Sequence, residues 1–122
     1  MKEKSLKKSR KKLWDIQSIY VRRKEKGICF TCEVKKNWKE QDAGHFIHKD
    51  CLDFDERNIH CQCHGCNRWH HGNLIVFAMK LEKLFGYGII QELKHLGDQI
   101  KIWKVSELEE KITYYKNKIR EL

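Results

Sequence analysis

The sequence predicts a single domain of α+β fold, mainly α-helical, whose centre is stapled by a metal between a basic N-terminal helix and a helical C-terminal part. Three observations predict it. Two Cys-x-x-Cys pairs, Cys29/Cys32 and Cys63/Cys66, bracket a segment crowded with Cys, His, Asp and Asn. Apolar residues recur at helical spacing on both sides of that segment but not inside it. Hydrophobic residues make up 40% of the 122 and charged residues 35%, so a core of this size gains from a metal that helps to hold it. The whole of 1–122 reads as one compact domain with exposed helical arms, since there is no proline, repeat or low-complexity linker to divide it.

Residues 1–27 are the first part. Leu6, Leu13, Trp14, Ile16, Tyr20 and Val21 stand at near-helical spacing over 5–25, and Gly27 follows as a stop. Residues 1–26 hold eleven Lys and Arg against three acids, a net +8 of the chain's +9. Such a block suits a protein that tracks phosphates, because each neutralised phosphate releases condensed counterions. Lys7, Lys8, Lys11, Lys12, Arg22 and Arg23 are the candidate DNA-binding residues. A solubilising arm would carry the same charge.

No apolar run approaches the roughly 18 residues that cross a bilayer, and the N-terminus lacks the apolar centre of a secretory signal. The expectation is a soluble, cytoplasmic protein with no membrane partner. In that reducing compartment the six cysteines read as metal ligands rather than as disulfides.

Residues 28–72 form the middle part, with short strands expected around 44–48 and 58–62. Two residues between thiols let both sulfurs of a tight turn reach one ion, and two such turns complete the tetrahedral shell that zinc takes from four thiolates. Cys29, Cys32, Cys63 and Cys66 are therefore the candidate ligands of a structural Zn²⁺ with no open position for water. Cys61 makes the second pair a Cys-x-Cys-x-x-Cys run and competes with Cys63 for the ion. Cys51 has no assigned task.

Helical spacing returns in 73–122. Asn73 is the expected N-cap of a helix carrying Leu74, Phe77, Ala78, Leu81, Leu84 and Phe85, stopped by Gly86. A shorter helix covers 89–96 before Gly97. Ser106 with Glu109 matches the capping-box pattern and opens a last helix striped by Leu108, Ile112, Tyr115, Ile119 and Leu122. That stripe either docks on the core or pairs with a second subunit.

Between the cysteine pairs lie His45 and Asn58, and Asn67 follows Cys66 directly. A His, an Asn, and an Asn or His just past a second Cys-x-x-Cys is the layout of an HNH (ββα-metal) nuclease. The chemistry explains the residue types. Phosphodiester hydrolysis needs a base to take a proton from water, and imidazole titrates nearest to working pH. His45 is the candidate base, with an oxygen of Asn58 as the expected acceptor for its other nitrogen. A divalent cation, Mg²⁺ or Mn²⁺, must offset charge on the phosphate. Asn67 is its first candidate ligand, with His71 one helical turn on. His70 is an alternative to His71, while His48, His60 and His64 read as surface or phosphate-facing residues.

The segments Asp42-Ala43-Gly44-His45-Phe46-Ile47, Phe54-Asp55-Glu56-Arg57-Asn58, Gln62-Cys63-x-x-Cys66-Asn67 and Gly72-Asn73 resemble the phage recombination protein NinG (Rap) family. Leu13-Trp14 and Trp103-Lys104-Val105-x-Glu107-Leu108-Glu109-Glu110 extend the likeness over most of the chain. The resemblance implies a phage or prophage nuclease acting on branched DNA such as Holliday junctions or D-loops. In it the base His corresponds to His45, the central Asn to Asn58 and the position after the second Cys pair to Asn67. Many HNH nucleases carry an Asp ligand immediately before the base; here that place is Gly44, leaving Asp42 or His71 to supply a second ligand. By analogy with junction-cleaving enzymes, which work as paired active sites, the resemblance also implies a homodimer. The rival reading is a zinc-dependent DNA-binding module without catalysis.

Overall fold

The computed structural model describes residues 2–122, with side chains described from Lys4 onward. Helix α1 (Lys2–Lys24) has neither Gly nor Pro in its interior and runs unbroken through the basic segment. Lys26 and Gly27 then take left-handed backbone angles, and the Gly27 N–H bonds back to the Arg22 carbonyl. Glycine is required there, because a Cβ would overlap the Lys36 carbonyl oxygen.

Strands β1 (Asp42–His45) and β2 (Ile59–Gln62) pair antiparallel, with Asp42 opposite Gln62, Ala43 opposite Cys61, Gly44 opposite His60 and His45 opposite Ile59. Both are shorter than the sequence suggests, and β1 starts and ends earlier. After His45 the chain turns away, because the Asn58 side chain captures the Ile47 backbone. Successive side chains of a strand point to opposite faces. Ala43, His45, Ile59 and Cys61 therefore face one way, and Asp42, Gly44, His60 and Gln62 the other.

Each face is covered by its own core. Leu13, Tyr20 and Val21 of α1 pack with Phe54, Ile59 and Trp103, and with Leu108, Ile112 and Tyr115 of α4 (Val105–Arg120). The last helix thus docks on the first, as one of the two expectations held. Gln17, wholly buried in this contact, donates to the Tyr115 hydroxyl (3.1 Å), which itself donates to Glu56 (2.7 Å). Ile119 only borders this core and Leu122 is exposed.

On the other side Leu52 packs with Phe77 and Leu81 of α2 (Leu74–Phe85) and Ile89 and Leu93 of α3 (Ile89–Gly97). Phe77 is fully buried, with the Phe30 and Phe46 rings each 5.3 Å from its own. Phe77→Ala should lower stability by about 4 kcal/mol, visible as a fall in the thermal midpoint.

Three local expectations are corrected. Asn73 stands at the N-cap position of α2 as expected, but with left-handed angles and no side-chain cap; its Nδ2 lies 3.7 Å from Cys66 Sγ instead. Helix α4 starts one residue before Ser106, and Glu107, not Glu109, reaches back to the Lys104 N–H (3.3 Å). Gly97 is the last residue of α3, buried where a Cβ would press to 3.3 Å from Leu52. Among the described residues no helix is long and apolar enough to cross a membrane.

Candidate metal centre and active site

The two Cys-x-x-Cys turns come together as their spacing requires. The sulfurs of Cys29, Cys32, Cys63 and Cys66 all lie within 4.8 Å of one another, with the Cys32 and Cys63 sulfurs 3.7 Å apart. A tetrahedral zinc with bonds of about 2.3 Å would set its sulfurs about 3.8 Å apart, so the quartet fits the ion. Burial alone would raise the Cys29 thiol, but the Cys32 N–H and the Thr31 hydroxyl, both 3.4 Å from its sulfur, help to bring its pKa down to about 6. That favours the thiolate a metal needs. Desolvation and crowding by the other sulfurs push Cys32 up to about 12, which an ion would relieve. Cys63, not Cys61, completes the quartet of neighbouring sulfurs. Cys61 lies on the α1 side of β2, wholly buried, and desolvation with the nearby Glu25 charge pushes it up to about 12. Cys51, outside the quartet, donates to the Leu96 carbonyl (2.8 Å).

His45 ends β1 on the α1 face. Its ring stacks on Trp14 at 4.6 Å between centroids, and its Nε2 lies 3.0 Å from the Asp53 carbonyl. A carbonyl only accepts, so Nε2 carries the proton and Nδ1 is left with a free lone pair. Desolvation lowers the His45 pKa below its ordinary 6.5, against the opposing pull of Asp53. Beside the ring is a recess of about 240 Å³ lined by Arg10, Lys11, Trp14, His45, Asp53 and Phe54. Arg10 pairs with the Asp53 carboxylate and reaches Asp50 at 3.6 Å.

Asn58 does not supply the acceptor for His45. Its Oδ1 takes the Ile47 N–H (2.9 Å) and its Nδ2 donates to the carbonyls of Ile47 (2.8 Å) and Leu52 (3.2 Å). It ties down the 46–58 loop that carries Asp53, and so acts on His45 at one remove.

Asn67 sits in a wide π-helical turn, Gly65–Trp69, against the opposite face of β1. Its Nδ2 donates to Asp42 (3.0 Å), which also takes Arg68 (3.0 Å) and His64 (2.9 Å). Burial would raise the Asp42 carboxyl, but these three donors outweigh it and hold it below the usual carboxylate range. His71 is not on that face: the turn ends at Trp69, and His71 is exposed in a left-handed conformation. His64, read from sequence as a surface residue, is the imidazole that meets Asp42. His60, also expected outside, is buried, with Glu25 (2.7 Å) and the Arg57 carbonyl (3.1 Å) on its two nitrogens and Phe30 stacked on its ring. His48 and His70 are exposed, with the His48 ring 5.6 Å from that of His45.

The basic helix divides its charges. Lys7, Lys8, Lys11 and Lys12 are exposed; Lys11 pairs with Asp15 and borders the His45 recess, while Lys8 and Lys12 face a groove against α4. Arg23 is half-buried. Arg22 is turned inward: it donates to the Ser18, Trp38 and Gln41 carbonyls, lies over the Trp38 ring, and has its pKa lowered chiefly by burial. It closes the loop after α1 and so has a structural role of its own.

Among the site residues that the sequence did not mark are Trp14, Gln62 and Asp53, whose carbonyl holds His45. Trp14 supports the His45 ring, and only its place on the buried side of α1 hinted at this. Gln62 lies over Gly44, legible only through the cross-strand register.

A family model described as Bacteriophage Lambda NinG protein matches residues 1–122. Protein ninG of Escherichia phage 933W is 29% identical over 109 residues, covering 86% of this chain and 53% of that protein. Protein ninG of Salmonella phage P22 is 28% identical over the same shares, and that of Escherichia phage lambda 27% identical, with 52% of its length covered. The chain spans about half the length of these curated relatives. No solved structure gave a significant match. With the family pattern running the full length of the chain and its cysteine pairs meeting at one point, the chain belongs to the bacteriophage lambda NinG protein family.

Proposed function

We propose that the protein is a metal-dependent DNA endonuclease of the HNH type that hydrolyses phosphodiester bonds in branched recombination intermediates. The observation that carries the reading is the state of His45: a half-buried imidazole held by Trp14 and the Asp53 carbonyl, its Nδ1 left without a hydrogen bond, lining a recess with Arg10 and Lys11. His45 Nδ1 takes the proton from water as the water oxygen attacks phosphorus and the bond to the leaving sugar oxygen breaks, that oxygen taking a proton from solvent; the imidazolium keeps its Nε2–H on the Asp53 carbonyl until it returns its extra proton to solvent. Lys11, with other lysines of α1, holds neighbouring phosphates. A divalent cation, Mg²⁺ or Mn²⁺, offsets the charge gathering on the phosphate and the leaving oxygen when bound.

Asn67 and Asp42, joined by a 3.0 Å hydrogen bond, are the residues assigned to such an ion. They and His45 lie on opposite faces of β1, but β1 has only one partner strand among the described residues. A phosphate at its free edge can be reached from both faces. Zinc in the quartet has four protein ligands and stays structural.

A labelled four-way junction incubated with zinc-loaded protein and Mg²⁺ should be cut, with duplex and single strands as comparisons. A shifted band without cut strands would favour the non-catalytic DNA-binding module. Because the base must be neutral and burial lowers its pKa, activity should be lost only as pH falls through a midpoint below 6.5. A pH profile of single-turnover cleavage reads that limb.

A further inference from the structure

Gln62 presents an unmet chemical demand on the Gly44 face. Its side chain is wholly buried, and its Nε2 donates to the Gly72 carbonyl (2.8 Å) and to Thr31 Oγ1 (3.2 Å). The Gly72 carbonyl can only accept, which fixes the orientation of the amide. Oε1 is thereby aimed at Gly44 and has no hydrogen-bond partner. A buried amide oxygen left without a partner is expensive, and it calls for an explanation.

A second amide oxygen stands beside it. Asn67 Oδ1 would lie 2.9 Å from a Cβ placed on residue 44, and Gln62 Oε1 would collide with that same atom. The Asn67 amide is oriented by its own Nδ2, which donates to Asp42. Two oxygens with partial negative charge thus converge above a residue that has no side chain, and the Asp42 carboxylate accepts from the Asn67 amide beside them at 3.0 Å. Oxygens gathered without a donor between them are what a hard cation takes as ligands.

We propose that Gln62 Oε1 and Asn67 Oδ1 are the inner protein ligands of a hard divalent cation, Mg²⁺ or Mn²⁺, seated above Gly44. Asp42 balances its charge from behind Asn67. This rests on the nuclease reading for its purpose, but its chemistry stands on the geometry alone. Asn67 is half-buried, so the outer side of the cation is open to water and phosphate, which Mg²⁺ keeps in its shell. An all-oxygen set disfavours zinc, which the thiolate quartet takes. The two metals are linked: Thr31, which holds the Gln62 amide, also lies 3.4 Å from Cys29 Sγ.

The test is Mn²⁺ binding to the zinc-loaded protein without DNA, read from the spin-resonance signal of free Mn²⁺. The wild type should retain one Mn²⁺ per chain and release it to excess Mg²⁺. Gln62→Met, similar in size but lacking the oxygen, should weaken binding at least tenfold; Gln62→Glu should tighten it. Gly44→Ala should lose the ion, because its Cβ would drive the Gln62 oxygen out of place. If Gln62→Met fails to fold, as judged by zinc content and circular dichroism, Gln62→Glu and Asn67→Ala decide the matter. Unchanged affinity in the Gln62 variants overturns the proposal, as does a wild type that binds no Mn²⁺, which would make the oxygen a buried-water site. Mn²⁺ held through Gln62 in a protein that cuts no junction would sink the nuclease reading and leave the cation site. Cutting that persists with Gln62-independent Mn²⁺ binding would do the reverse.

Discussion

Stripping the ion from Cys29, Cys32, Cys63 and Cys66 should unfold the centre of the protein. A structural zinc contributes on the order of 10 kcal/mol to folding, against a total stability of roughly 5–15 kcal/mol for a domain. The quartet joins the turn after α1 to the turn after β2, where the other links are the Phe30 N–H to the Cys61 carbonyl, Glu25 to His60 and the Cys61 N–H, the Phe30 ring on His60, and the Gln62 amide to Thr31. Cys63→Ser, or a strong chelator, should therefore abolish the cooperative thermal transition, with one zinc released per chain. A chelated protein that melts unchanged would remove the staple from the account.

His45→Ala should lower the cleavage rate by about 10²–10⁴-fold, the range expected when a general base is removed. Zinc content and junction binding should stay as in the wild type, because the ring touches neither the quartet nor the outward lysines of α1. The contrast with Asn58→Ala is informative. Asn58 acts through the loop that carries Asp53, so its loss should lower the melting midpoint together with activity, whereas His45→Ala should lower activity alone. Full activity in His45→Ala would eliminate this mechanism.

What the sequence made legible was whatever depends on local spacing. The cysteine pairs announced their turns, and period-3.6 apolar residues announced α1, α2 and α4. Partnerships made across space were hidden. Asn58 looked like the support of His45 because both residues belong to one motif, but the loop between them brings the Asp53 carbonyl to the ring first. His71 seemed to share a helix face with Asn67 because a regular helix was assumed; the wide turn ends before reaching it. Arg22 counted as one more positive charge until the loop after α1 wrapped over it, and His60 as a surface imidazole until Phe30 and Glu25 enclosed it. Gln62 stood in the sequence only as the residue before Cys63, since an amide becomes conspicuous only when its oxygen is buried against a glycine.

The docking of α4 on α1 has a consequence for how the chain is made. Leu13 and Leu108 belong to the same core yet are separated by most of the polypeptide. At a synthesis rate of about 5–20 residues per second, the first helix waits roughly 5–20 seconds for its cover. Long sequence separation of this kind slows folding, because the loop must close before the contact rewards it. During that interval the apolar stripe of α1 stands uncovered on a helix whose segment, residues 1–26, carries a net +8.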